Sequence, residues 1–394
     1  MSIPIEKIVK VNKIWQAAAL GYANIGVGCF FAKSSDVAAG STLVAGDMVT
    51  LDYTGFQNNF NVNSDPVRYA ARWFGNSPSV SDSKVYIWDD QSDDIVTALN
   101  KAVEKGWFFY PQFPVSVMDD DASVLAINTW VGASGKVAGI SSTDPDIPIG
   151  ATDNIAKVLK SAGNDGMAQV SYVRASDVAN DASLRYVQAG LFARFAAVNY
   201  SGINTCITGD NVKIPVAGSD LEPQEIAVLK DYAIYYDRIV SGDQTTAYVK
   251  STNVKMTSGK WMDRVIHSAA LAIRIQTDLL NRIQRDERAP ALDVIGYAAL
   301  IQAAKNACYP FRSQGGNGFL AYKGLYTDPR DGIQKTAEFG YAILNEPTDI
   351  NKLTDAQRTA REAYPLTIIA ITADGVQSIV VDLTIARSEQ QNVA

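Results

Sequence analysis

The period of the hydrophobic pattern changes several times along the chain, and each change marks a different kind of element. The longest stretch with one period is 258–285, SGKWMDRVIHSAALAIRIQTDLLNRIQR. Met262, Val265, Ile266, Ala269, Ile273, Leu280 and Ile283 recur at helical spacing and form one apolar face. Asp263, Arg264, Arg274, Asp278, Asn281, Arg282 and Arg285 occupy the other side. Arg274 with Asp278, and Asp278 with Arg282, stand one turn apart and can pair. Ser258 reads as the N-cap, and Pro290 closes the region. Such a charged face is either solvated or meets a partner.

Before this helix the chain opens with a strand pattern, SIPIEKIVKV, over Ser2–Val11. Ile3, Ile5, Val9 and Val11 fall on one side, interrupted by Lys7; Ile8 falls on the other with Pro4, Glu6 and Lys10. Pro4 cannot donate to a ladder, which places this strand at a sheet edge. Residues 1–15 form an extended arm. Residues 16–81 form a small β-containing region, with alternation at 47–53. Asp65 and Pro66 then open a helix over 67–74.

From 82 to 222 strands and helices alternate. Strands are predicted at 84–88, 107–113, 136–140 and 169–173. Helices are predicted at 94–105 (ending at Gly106), 122–131 (ending at Gly132), 154–159 and 182–198. That order argues for βαβ units and a mainly parallel sheet.

Residues 223–372 read as helix-rich, with helices at 224–240 and 293–307 around the long one and a strand at 245–250. The end of the chain is strongly β. The stretches 366–372 and 376–385 flank Ala373-Asp374-Gly375, which suits a type I′ turn and predicts a hairpin. Ile379, Val381, Leu383 and Ile385 alternate in it with Val380 between, and 373–394 form a terminal strand and arm. The fold class is α/β: a mixed, multi-domain chain with a mainly parallel βαβ core, terminal β-arms and a C-terminal β-hairpin.

Composition narrows the chemistry. The 394 residues are 47% hydrophobic with a net charge of −7 and a pI near 4.9. The length and apolar content describe a folded chain of two or three domains. The acidic balance argues against nucleic acid as the main partner. No stretch has the length of a membrane span. An apolar run over 17–31 follows Lys7, Lys10 and Lys13 as in a secretion signal, but Gly21, Asn24, Gly26 and Gly28 break it. Cys29, Cys206 and Cys308 are odd in number and far apart, which suits buried thiols in a reducing compartment.

A single histidine, His267, leaves little for triads or histidine-based metal sites and reads as a surface or capping residue. Ser258-Gly259-Lys260-Trp261 lacks the earlier glycine and the Ser or Thr of a phosphate loop, and no GxSxG elbow exists. Acids cluster at Asp89-Asp90, Asp93-Asp94 and Asp119-Asp120-Asp121, each near a predicted helix start where they cap it. The rival reading is acid-base work by Asp119–Asp121 in a hydrolase or carbohydrate-active enzyme. No cofactor and no metal are expected. The sticky β-segments at both ends either pair with each other or add strands to other copies.

Three stretches resemble one family. They are SIPIEKIVKVN at the start, SGINTCITGDNVKIPVAGSDLEPQEIAVLKDYAIYYDRI over 201–239, and SGKWMD over 258–263. Together they look like the tail sheath proteins of contractile-tailed bacteriophages; residues 16–81 match least. The resemblance implies a structural subunit, not an enzyme, acting without ATP or metal. It implies stacked hexameric rings around a tail tube, with arms shared between subunits and a metastable sheath that shortens to drive the tube into the host. Partners would be further copies, the tube protein, and baseplate and tail terminator proteins, with no nucleic acid and no membrane. The place would be the virion, after assembly in the host cytoplasm. Ile3, Ile5, Ile8, Val9, Val11, Ile379, Val380, Val381, Leu383 and Ile385 would form the inter-subunit strands. Residues 16–81 would face the surface and 223–372 the tube, with Arg264, Arg274, Arg282 and Arg285 meeting it. The nearest rival within this group is another tail or baseplate protein; a tube protein, mostly β, is opposed by the βα alternation.

Overall fold

The computed structural model describes residues 24–75, 78–200, 202, 204–210, 221–240, 247–284, 290–313 and 317–373. In chain order these carry β1 (Gly28–Lys33), β2 (Met48–Leu51), α1 (Tyr53–Asn59), α2 (Asp65–Trp73), β3 (Ser83–Trp88), α3 (Ile95–Lys105), β4 (Tyr110–Gln112), α4 (Val115–Met118) and α5 (Asp121–Ser134). Then come β5 (Ser141–Ser142), α6 (Asp146–Ile149), α7 (Ile155–Ala162), β6 (Val170–Tyr172), α8 (Ala175–Asn180), α9 (Val187–Ala196), α10 (Pro223–Tyr232), β7 (Ala233–Val240) and β8 (Ala247–Thr252). The remainder is α11 (Met262–Gln284), α12 (Val294–Cys308), β9 (Gly324–Thr327), β10 (Gln334–Ala337), β11 (Tyr341–Ile343), α13 (Asp355–Thr359) and β12 (Ile368–Ala370).

The first sheet runs β2-β3-β1-β4, with β1 parallel to both β3 and β4 and β2 antiparallel at the edge. Its strands come from both 16–81 and 82–222. The second runs β5-β6-β7-β8, parallel except for its last pair. A backbone hydrogen bond from Val137 to Phe109, 3.1 Å, links them. This is the mixed α/β architecture with parallel βαβ units that the alternation predicts.

Local signals mark many of the ends. Asp94, Asp120, Asn154 and Asp293 each cap a helix by accepting the N–H three residues on. Gly135, at φ 66°, stops α5 in the left-handed conformation. The predicted stop at Gly132 is therefore three residues early.

Other predicted boundaries moved for tertiary reasons. The helix expected over 224–240 ends at Tyr232, and AIYYDRIV becomes β7. Ala233, Ile234, Tyr235 and Tyr236 are all buried, which a strand covered on both faces achieves and an amphipathic helix does not. The helix expected from 182 begins as a 3₁₀ turn over Ala182–Tyr186, and α9 follows, with nearly every residue buried. Ser258 lies in the turn before α11, which starts at Met262, so it is not that helix's cap. Part of the apolar run at 17–31 is β1, whose Cys29, Phe30, Phe31 and Ala32 are fully buried at the centre of a sheet.

The described β12 pairs antiparallel with β11. The hairpin expected with 376–385 lies outside the described residues, as does the strand expected over 2–11.

One large hydrophobic cluster extends from Ile25 to Ala270, rich in stacked rings such as Phe30 on Tyr69 and Tyr110 on Phe192. Lys136 is buried at its margin. Its Nζ donates to the Phe108 carbonyl at 2.5 Å and lies over the Trp107 and Phe108 rings. Burial lowers its pKa to about 8. Two smaller clusters follow, one around Leu271, Cys308, Phe311, Phe319 and Leu320, the other around Tyr297, Leu300, Ile301, Ile350 and Leu353.

Candidate assembly surfaces

Helix α11 passes through all three clusters. Met262, Ile266 and Ala270 belong to the large one, Leu271 and Ile275 to the second, and Leu279 packs on the third. It is the spine that joins the sheet-bearing body to the C-terminal part.

The pattern of its faces differs from the expected one at both ends. Asp263 and His267, predicted on the polar side, are buried. Leu280 and Ile283, predicted in the apolar stripe, are exposed. The cause is that the cover changes along the helix: near Met262 the body and the C-terminal clusters enclose it, while its last turns extend past the body. Ile283 there borders a groove of about 480 Å³ with Pro290, Leu292, Leu300, Arg358 and Arg361.

The four arginines do not form one face. Arg264 is exposed on an outward row with Ser268, Ala272 and Gln276. Arg282, five turns on, lies on the same side and is half-buried. Arg274 is turned by about 80° from that row. Its side chain is 16% exposed and pairs with Asp278 at 3.5 Å, the i,i+4 pair that the spacing predicts. It lines a cavity of about 290 Å³ with Asn24, Tyr200, Ile273 and Phe311. Arg285 lies outside the described residues.

Both ends of the described chain come out beside this helix. Asn24 opens onto the cavity that Ile273 and Arg274 line. Ala373 donates its N–H to the Phe319 carbonyl at 2.6 Å, and Phe319 stacks on His267 of α11. Phe311 touches both places, lining the cavity and packing against Phe319 at 4.7 Å. The terminal β-patterns allow the two ends to pair with each other, but nothing in the sequence pattern places them beside this helix. The ten strand residues proposed to link subunits, Ile3 to Val11 and Ile379 to Ile385, lie outside the described residues.

A second surface was not anticipated. The ribbon β9–β10 pairs antiparallel and carries Leu325, 65% exposed, and Ile333 in its turn, 58% exposed. Tyr309, Tyr322 and Phe339 are also exposed nearby in the chain, with Arg312 over the Tyr309 ring at 3.7 Å. The turn is stiff. The Asp328 carboxylate, fully shielded, accepts from the Arg330 guanidinium at 2.7 Å and from Lys335 Nζ at 2.7 Å. Arg330 also donates to the Leu344 carbonyl. Arg330 first, then Lys335, hold the Asp328 carboxyl well below the usual carboxylate range.

A carboxyl depressed in the folded state supports the ribbon at all pH values above its ordinary 3.8 and loses that support only as the pH falls through the lower folded value. The ribbon should therefore stay protected at about pH 4. Asp328→Asn should expose it: hydrogen exchange over 324–337 rises, while the melting of the whole chain barely moves. Unchanged exchange would show that the ladder alone suffices.

The acid clusters have structural employment. Asp119 pairs with Arg185 at 2.5 Å, Asp120 caps α5, and Asp121 sits in its first turn. Asp93 binds Lys101 at 2.7 Å, and Asp94 caps α3. Cys29 and Cys308 are buried, and burial pushes both thiols up to about 12. Among the described residues no three His, Cys, Asp or Glu side chains are grouped to hold a metal, and no helix is long and apolar enough to cross a membrane.

No family model matches the sequence, and no curated protein does. The fold nevertheless has a solved counterpart. The chain is similar to the anti-feeding prophage (AFP) helical sheath, solved by cryo-EM in the contracted state, with a TM-score of 0.59 over 95% of this chain and 98% of that one. Sequence identity is 13%, so the likeness is one of fold.

Proposed function

We propose that this chain is the structural subunit of a contractile tail sheath. Copies polymerise helically, as stacked hexameric rings around a tail tube, and contract to drive the tube into the host cell. The observation that carries this reading is the similarity to a helical sheath along almost the whole of both chains. A similarity limited to one α/β domain would leave many functions open.

The assembly physics suits the surfaces described. Strands lent to neighbours form main-chain ladders that tolerate sequence change and keep subunits linked while the bodies rotate. Head-to-tail contacts that do not close produce helical polymers. Contraction then needs no bond chemistry, only two packings of one surface that differ in free energy. The partners are further copies, the tube protein, and baseplate and terminator proteins. Assembly takes place in the host cytoplasm and the product is part of the virion. On α11, Arg264 and Arg282 share a side and are the arginines suited to an acidic tube; Arg274 is committed to Asp278.

Negative-stain microscopy of the purified chain tests this directly. Tubes or long polymers are expected; a monodisperse monomer at high concentration defeats the reading. The β9–β10 ribbon adds a sharper test. Burying one such apolar side chain is worth about 1.5–3 kcal/mol. Leu325→Lys with Ile333→Lys should raise the concentration needed for polymer about a hundredfold or more. Wild-type assembly by the double variant would place the ribbon outside every subunit contact.

A further inference from the structure

Lys136 is 5% exposed and stands on the seam between the two sheets. On the first sheet's side Val137 N–H donates to the Phe109 carbonyl at 3.1 Å, and on the second's Ala138 N–H donates to the Gly166 carbonyl at 2.9 Å. The seam is tight: a Cβ at Gly166 would lie 2.9 Å from the Lys136 carbonyl oxygen.

An ammonium has three N–H donors. Among the described residues that of Lys136 has one acceptor, the Phe108 carbonyl at 2.5 Å. Beyond that bond it meets ring faces, Trp107 at 4.4 Å and Phe108 at 4.2 Å. The cover on the Trp107 side is one ring thick. That ring is 39% exposed, and its N–H donates to the Asn24 carbonyl at 2.7 Å. Water is therefore close, and only a closed seam keeps it away.

We propose that Lys136 is a pH-sensitive joint between the two sheets: as an ammonium it favours opening of the seam at 107–109 and 136–138, and as a neutral amine it leaves the seam shut. The titratable and charged groups of the elements packed around it are few. β1 brings Cys29 and β3 brings Lys84. β4 brings Tyr110, whose hydroxyl burial holds neutral. The segment 163–167 brings Asp165, which pairs with Lys260 at 2.6 Å. The segment 106–109 and the end of α5, 131–135, bring none.

Burial is the largest influence on the amine and lowers its value from 10.5 to about 8. Cys29 opposes this only as a thiolate, and burial pushes that thiol up to about 12. Lys84 repels the cation and acts in the same direction as burial. The two ring faces favour the cation. With one hydrogen bond they do not replace the water that a buried ammonium gives up. An opened seam returns Lys136 to water, where it keeps its proton up to 10.5. Between about 8 and 10.5 the open or unfolded state thus binds more protons than the closed one. The closed seam gains stability as the pH rises through that window and loses it as the pH falls. Below about 8 both states are protonated and the dependence stops.

The test uses the full chain and two readouts. In competitive acetylation read by peptide mass, an exposed lysine reacts faster with pH up to about 10.4. Lys136 should instead level off above about pH 8, falling behind the exposed lysines by up to about tenfold per pH unit. In urea melts at one fixed protein concentration, Lys136→Met keeps the stem without the charge. The wild type should gain on this variant by up to about tenfold in the unfolding constant per pH unit between about pH 8 and 10. Acetylation of Lys136 that keeps pace with the exposed lysines overturns the proposal. So does a wild-type to variant ratio that is the same across that window. No acetylation of Lys136 at any pH also overturns it, because the seam then does not open. Should the variant fail to fold, the acetylation profile decides alone.

Discussion

Deletion of residues 2–11 is expected to leave a folded subunit that no longer builds tubes. The ten residues alternate as an edge strand, and a ladder along one side would supply roughly five main-chain hydrogen bonds at about 0.5–1.5 kcal/mol each. Ile3, Ile5, Val9 and Val11 add about 1.5–3 kcal/mol apiece when buried against a neighbour. Ordering the strand costs about 1–2 kcal/mol per residue, which offsets most of that gain, so a single link is close to balanced. A lattice repeats that link at every copy, so its loss is multiplied. The described core begins at Ile25 and β1, downstream of the deletion, so the melting curve should hardly shift. Tubes from the truncated chain would show that other contacts carry the lattice. An unfolded truncated chain would show that this strand serves its own subunit.

The largest loss of stability is expected from Trp73→Ala. Trp73 is fully buried on α2, stacked on Tyr69 at 5.7 Å and tilted against Tyr110 at 6.4 Å. Its indole N–H donates to the Asp82 carbonyl at 3.3 Å. Truncation removes the transfer free energy of the indole and leaves a cavity, about 3–5 kcal/mol together. That is a large share of the roughly 5–15 kcal/mol by which a domain is stable. The melting temperature should fall by about 6–20 °C. Gly28 provides a coupled check, because a Cβ there would lie 2.6 Å from the Trp73 ring. Gly28→Ala should be harmful alone and milder beside Trp73→Ala, with a coupling above about 0.5 kcal/mol by denaturant melts. Strict additivity would mean that the two do not compete for one space.

Much of the fold could be read directly. The βα alternation between 84 and 198, the capping residues Asp94, Asn154 and Asp293, the pair Arg274–Asp278 and the long helix itself all follow from local spacing and short-range hydrogen bonding. Asp94 and Asp120 in the acid clusters read correctly as caps for the same reason, whereas the ion pairs of Asp93 with Lys101 and Asp119 with Arg185 carried no local signal. Less was legible at the candidate surfaces. His267 looked like a surface residue because its helical neighbours Arg264 and Ser268 are polar, and its cover, Phe319, lies 52 positions away in the chain. Leu280 and Ile283 looked buried because periodicity carries no information about where the body ends. The β9–β10 ribbon gave no signal, since its strands are four residues each and its turn is held by Asp328 and Arg330.

By itself the sequence determined the kinds of element, where most helices start, and that the chain alternates strand and helix around a large apolar core. These rest on interactions within a few residues, which the order of residues states outright. Only the tertiary structure decided that AIYYDRIV is a strand, that β1 is the centre of a sheet, that Arg274 of α11 is covered, and that both described ends converge beside that helix. Those outcomes depend on what packs against each segment from far along the chain, and burial on both faces overrides the preference of any local window.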